Sequence, residues 1–155
     1  MKAIIRILGV LIIVAGTVLL GGCHQPSGGG GSFSIIGTWL STTDLQDAMG
    51  AGVDYKAGST VVIGVGTYAT TYTADDNGTE YNCSHSGTFT PTDPDSSTTL
   101  LLTVEFSDGD GSDYYPPDGS NLQFIYSSLT ATTVNLGVDM DNNGSVDMTL
   151  ILVRQ

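Results

Sequence analysis

Ile35-Ile36-Gly37-Thr38-Trp39-Leu40-Ser41 holds the only tryptophan of a 155-residue chain and reads as a first strand, placed where an ordered domain begins. Everything after it turns at short intervals. From Thr60 onward the chain alternates apolar and polar residues between Gly, Asn, Asp and Pro, which is the pattern of an all-β domain. Strands are expected at Thr60–Val65 and Thr67–Ala74, then, past the turn Asp75-Asp76-Asn77-Gly78, at Thr79–His85. Asn-Gly supplies the positive φ that a tight hairpin needs. Gly87-Thr88-Phe89 opens another strand, cut off by Pro91 and Pro94. Thr98–Phe106, Leu122–Leu129, Thr132–Val138 and Val146–Val153 complete about eight strands, enough to close a small antiparallel up-and-down barrel.

Two stretches interrupt this pattern. Between the first strand and Thr60, Thr43 or Asp44 can cap a short helix through Leu45, Gln46, Asp47, Ala48 and Met49, with Gly50 ending it; the segment is either a lid or a plain surface loop. Between Ser107 and Ser120, Tyr114-Tyr115-Pro116-Pro117 either lines the barrel mouth or covers an edge.

Upstream of the barrel, Lys2 and Arg6 precede an uncharged apolar run from Ile7 to Leu20, too short for a comfortable membrane span and right for a secretory signal. It ends Leu20-Gly21-Gly22-Cys23, which resembles the lipobox of bacterial lipoproteins. That resemblance implies a signal peptide over 1–22, cleaved before Cys23. The Cys23 thiol then carries diacylglycerol, and palmitate-type acyl chains anchor the protein stably to a membrane. His24 to Ser32 is a Gly/Ser-rich flexible linker, so the domains read 1–22, 23–32 and 33–155. His24 replaces the Asp that favours inner-membrane retention in such families, which points to the cell envelope and to its outer membrane in a diderm.

The part after Gly22 keeps two cations, Lys56 and Arg154, against all 16 acidic residues, hence a formal charge of −14. Such a surface repels phosphate, so nucleic-acid partners and basic-patch adhesion to anionic lipid are excluded. With Cys23 acylated, Cys83 has no intramolecular partner and is expected inward with Tyr81 and His85, as a buried or an intermolecular thiol.

Asp139-Met140-Asp141-Asn142-Asn143-Gly144-Ser145-Val146-Asp147 carries the best-formed site chemistry. Its oxygen donors follow the first nine places of a calcium loop: side chains of Asp139, Asp141, Asn143 and Asp147, the carbonyl of Ser145, and Gly144 at the sharp turn. Leu150 stands where an EF-hand has its bidentate Glu, so a hairpin loop of the extracellular kind is the closer match. The competing reading is an ordinary turn with solvated acids. Ser107–Asp118 is a weaker acidic loop. No enzyme is expected, because His85 is the sole histidine of the domain and has no activated nucleophile around it.

Gly37-x-Trp39 at the start of an all-β domain, a terminal Arg154, and the returns Gly66-Thr67-Tyr68 and Gly87-Thr88-Phe89 together resemble the lipocalins and their bacterial lipocalin-like relatives. The resemblance implies that Trp39 closes one end of the barrel, with Arg154 laid across its indole. It also implies a carrier of a small apolar or aromatic ligand, with Tyr68, Tyr72, Tyr81 and Phe124 lining the cavity. The alternative is a structural or interaction lipoprotein with a filled barrel, such as a surface module or an inhibitor of a secreted hydrolase.

Overall fold

The computed structural model describes residues 33–46, 52–110 and 112–155, with Ser112 described by its backbone alone. The signal, Cys23 and the linker lie outside the described residues, as does most of the helix expected from Leu45 to Met49. Among the described residues no helix is long and apolar enough to cross a membrane.

The strands are β1 (Gly37–Ser41), β2 (Val53–Tyr55), β3 (Thr60–Ile63), β4 (Thr67–Asp76) and β5 (Thr79–Thr90), then β6 (Thr99–Gly109), β7 (Asn121–Ser127), β8 (Thr133–Asp139) and β9 (Met148–Arg154). Eight of them close an antiparallel barrel in the order β4-β3-β1-β9-β8-β7-β6-β5, with β5 returning to β4. Closure leaves this sheet no free edge along the ring. β2 is the exception: among the described residues the one strand it pairs with is β4, at its far end, Val53 opposite Asp76 and Tyr55 opposite Ala74.

Alternation sorts the side chains. Along β4, Tyr68, Thr70, Tyr72 and Ala74 point inward and Thr67, Thr71 and Thr73 outward; along β9, Met148, Leu150 and Leu152 point inward and Thr149 and Ile151 outward. A one-residue slip would reverse every one of these, so burial pins the register. Each buried Leu, Val, Ile or Phe stabilises the barrel by about 1.5–3 kcal/mol relative to exposure.

The up-and-down order also sorts the loops. One end, the base, holds the entering residues 33–36, the β3–β4 turn, the β5–β6 and β7–β8 connections, and Gln155. The mouth, at the other end, holds residues 42–46 and 52–59, the β4–β5 turn, the described part of the β6–β7 loop and the β8–β9 loop.

Four expectations change in detail. Thr79–His85 and the segment opened by Gly87 are one strand, joined through a bulge at Ser86/Gly87. A Cβ on Gly87 would lie 2.0 Å from the Thr103 carbonyl oxygen, so only bare backbone lets β5 and β6 approach there, and Glu105 becomes the extra residue. In the first interrupting stretch, Leu45 does not start a helix. It forms an isolated bridge to Tyr55, with both backbone bonds at 2.8 Å, and Asp44 accepts the Ala57 N–H at 2.7 Å. Strand β3 stops at Ile63, where the Gly64 N–H bonds the Thr67 carbonyl, and Val65 is exposed. Val146 stands outside β9 and packs over Gly137, where a Cβ would meet its methyls at 3.0 and 3.1 Å.

Candidate functional site

At the base, the Arg154 guanidinium carbon lies 4.4 Å from the centre of the Trp39 ring, and the two residues are register partners of β9 and β1. The Trp39 indole N–H donates to the Ile35 carbonyl at 2.8 Å. Arg154 donates through Nη1 to the Ile36 carbonyl at 2.9 Å and through Nη2 to the Ser34 carbonyl. The entering chain is thereby clamped onto the last strand. Gly37 makes room: its φ of +151° disfavours any side chain, and a Cβ there would sit 2.8 Å from Arg154 Nη1.

The interior is filled. Ile35 and Trp39 close the base, and Leu100, Leu102, Leu136 and Leu152 are fully buried above them. Of the side chains expected to line a cavity, Tyr68, Tyr72 and Phe124 are core residues. Tyr81 is not: it is half-buried at the rim, stacked on Tyr114 with centroids 4.6 Å apart. A void below the mouth has a volume of about 40 Å³ and is bounded by Tyr55, Tyr72, His85, Phe124, Met140 and Pro116 among others. Drug-sized ligands occupy sites of about 300–1,000 Å³.

The β6–β7 loop and β2 fill the space in which a ligand would sit. Tyr114 accepts the Tyr72 hydroxyl on its carbonyl at 2.7 Å and donates its own hydroxyl to Asp76 at 2.7 Å. That bond holds the Tyr114 phenol up at about 12. The Ser107 hydroxyl bonds the Pro116 carbonyl at 2.5 Å, and Tyr55 of β2 stacks on Tyr72 at 4.6 Å. Of the two readings of Tyr114-Tyr115-Pro116-Pro117, lining the mouth or covering an edge, these contacts place the segment at the mouth.

His85 and Cys83 both face inward. Burial pushes the His85 imidazole down to about 4, and its Nδ1 lies 3.2 Å from the Tyr68 hydroxyl. Cys83 is a free, buried thiol, 3.7 Å from the Tyr81 carbonyl and pushed up by the same desolvation. Burial thus favours the neutral imidazole and the protonated thiol at pH 7, and both side chains are buried inside the barrel.

The β8–β9 loop brings carboxylate oxygens of Asp139, Asp141 and Asp147 within 4.8 Å of one another, an arrangement that could hold a metal ion. Its shape comes from its own backbone. The fully buried Asp139 carboxylate accepts the N–H of Asn143 at 3.1 Å and of Gly144 at 2.7 Å, while Asp147 accepts that of Met140 at 2.7 Å. Asn143 donates its side-chain amide to Asp141 at 2.8 Å and accepts the Ser145 N–H at 2.8 Å. Asn142 and Gly144 take positive φ, and Gln123, from neighbouring β7, donates to the Asn142 amide oxygen. Nothing in the local spacing pointed to Gln123; it arrives through the pairing of Gln123 with Asp139. Leu150, at the place of an EF-hand Glu, is buried in the core. Among the described residues, Asp108, Asp110, Asp113 and Asp118 form no such converging group.

Fold and clamp together define the class: a closed eight-stranded antiparallel barrel consistent with a lipocalin-like fold. No protein family matches the chain, and no curated protein matches it either.

Proposed function

We propose that this protein is a lipid-anchored, non-catalytic interaction module of the cell envelope, built on a filled barrel and carrying a calcium-stabilised loop at its mouth. The observation that carries this reading is the interior. A void of about 40 Å³ suits a water or two, whereas a carrier needs several times that space. The absence of a catalytic role is supported by the burial of His85 and Cys83. Calcium is supported by the oxygen-only donor set, since hard cations take six to eight oxygens and water can complete what the loop leaves open. Lipidation at Cys23 is supported by the lipobox-like leader. A tether from Cys23 would join the barrel through the residues that enter at its base, with the outer membrane as the anchoring bilayer in a diderm.

Native mass spectrometry of the full chain extracted from its membrane tests the reading. The expected species carries diacylglycerol on Cys23, no small apolar ligand, and a protein partner at fixed stoichiometry. A retained apolar or aromatic ligand would establish the carrier instead. Cys23→Ala should release the protein from the membrane fraction.

A further inference from the structure

We propose that a groove on the outer wall of β4–β6 docks a basic segment of a partner protein, seating an arginine or lysine side chain between Asp108 and Asp110. The proposal rests on the interaction-module reading and names the surface and the partner chemistry. The groove has a volume of about 520 Å³, within the range of ligand sites, and is thus far roomier than the barrel interior. Outward side chains of the sheet, Thr71 and Thr73 on β4 and Asn82 and Ser84 on β5, line it together with Asp108 and Asp110.

This lining is mixed, with Ala57, Gly58 and Gly109 beside the polar side chains, which suits the methylene stem of a long basic residue, and its charges are carboxylates. Asp108 lies opposite Ser84 in the β5–β6 register, and its Oδ1 accepts the Gly109 N–H at 2.9 Å. Asp110 meets the Asn82 backbone and side-chain amides at 3.4 and 3.5 Å, long and weak contacts. A carboxylate offers about four lone-pair sites, so both keep acceptor capacity for a guanidinium or ammonium group. Hydroxyls and an amide around them favour a hydrogen-bonding ligand over an apolar one.

Charge across the whole molecule points the same way. Among the described residues, Asp93, Asp95 and Glu105 are the acids that do not lie at or beside the mouth, where this groove opens. Lys56, next to the groove, is held by Asp75 at 2.7 Å and Asp44 at 3.9 Å, and Arg154 is at the base. Neither cation neutralises the groove, and a field of one sign steers an oppositely charged partner to it.

Fluorescence anisotropy with a labelled peptide of alternating arginine and glycine, titrated with the full chain at physiological ionic strength, tests the proposal. Saturable binding is expected, weakened about tenfold or more in the Asp108→Asn/Asp110→Asn double variant. The Asp113→Asn/Asp118→Asn variant removes the same charge from the exposed β6–β7 loop and should change affinity by less than about threefold. Equal losses in both variants would mean a diffuse field and overturn the groove, as would no binding by the native chain. Displacement of the peptide by spermine at matched charge concentration would overturn the assignment to a protein segment. Circular dichroism melts confirm that both variants fold. A stoichiometric partner that still binds the Asp108/Asp110 variant would leave the interaction-module reading standing and remove the groove alone.

Discussion

Arg154 is where one side chain holds most of the architecture. It stacks on Trp39 and donates to two carbonyls of the entering chain, so its loss removes a cation–π contact and leaves those acceptors without their donor. Arg154→Ala should lower unfolding free energy by about 2–4 kcal/mol. Gly37→Ala should cost more than about 1 kcal/mol, through its backbone conformation and the close Nη1; urea titrations of both variants check this. His85 gives a pH dependence. With its folded pKa pushed down to about 4, the unfolded chain binds more protons between there and about 6.5, so stability rises with pH across that window. It is lost on acidification by up to about 3 kcal/mol. His85→Gln should remove this component, so that the native-minus-variant difference in unfolding free energy, measured by urea unfolding, falls as the pH is lowered from 7 to 4. The positions of Trp39 and Arg154 in the chain were legible in the sequence. The two carbonyls that complete the clamp were not, because they lie about 120 residues from Arg154.

At the level of elements, the β8–β9 hairpin is the clearest candidate for ligand control. If calcium fills the loop, ten times the dissociation constant adds about 1.4 kcal/mol, or roughly 5 °C in Tm for a domain of this size. Asp141→Asn, an exposed change that removes the acceptor of the Asn143 amide while Asp139 still holds the Asn143 and Gly144 N–H groups, should abolish the shift; a native chain with no shift at millimolar calcium would end the assignment. The loop motif was readable because its ligands are local, spaced by single residues. Other elements needed the fold. β2 is three residues long, too short to show a period, and it forms because Tyr55 finds Tyr72 and Leu45. The β5 bulge was hidden because Gly87 looked like the start of a strand, while the reason for that glycine is a carbonyl on β6.

On the scale of the whole molecule, the barrel has two unlike ends. Entry, exit and the Trp39–Arg154 clamp share the base, whereas the acidic loops gather at the mouth, as alternating strand direction requires once the loop sequences are given. Alternation, turn chemistry and composition by themselves determined an all-β antiparallel barrel, the inward faces of most strands and the acidic surplus, because each follows from neighbours in the chain. Only the tertiary structure decided whether the barrel is hollow. Its volume depends on how Tyr72 of β4, Tyr55 of β2, and Tyr114 and Pro116 of the β6–β7 loop, three separate segments, meet under the mouth. Close packing is a property of all those side chains at once, and no single stretch of sequence carries it.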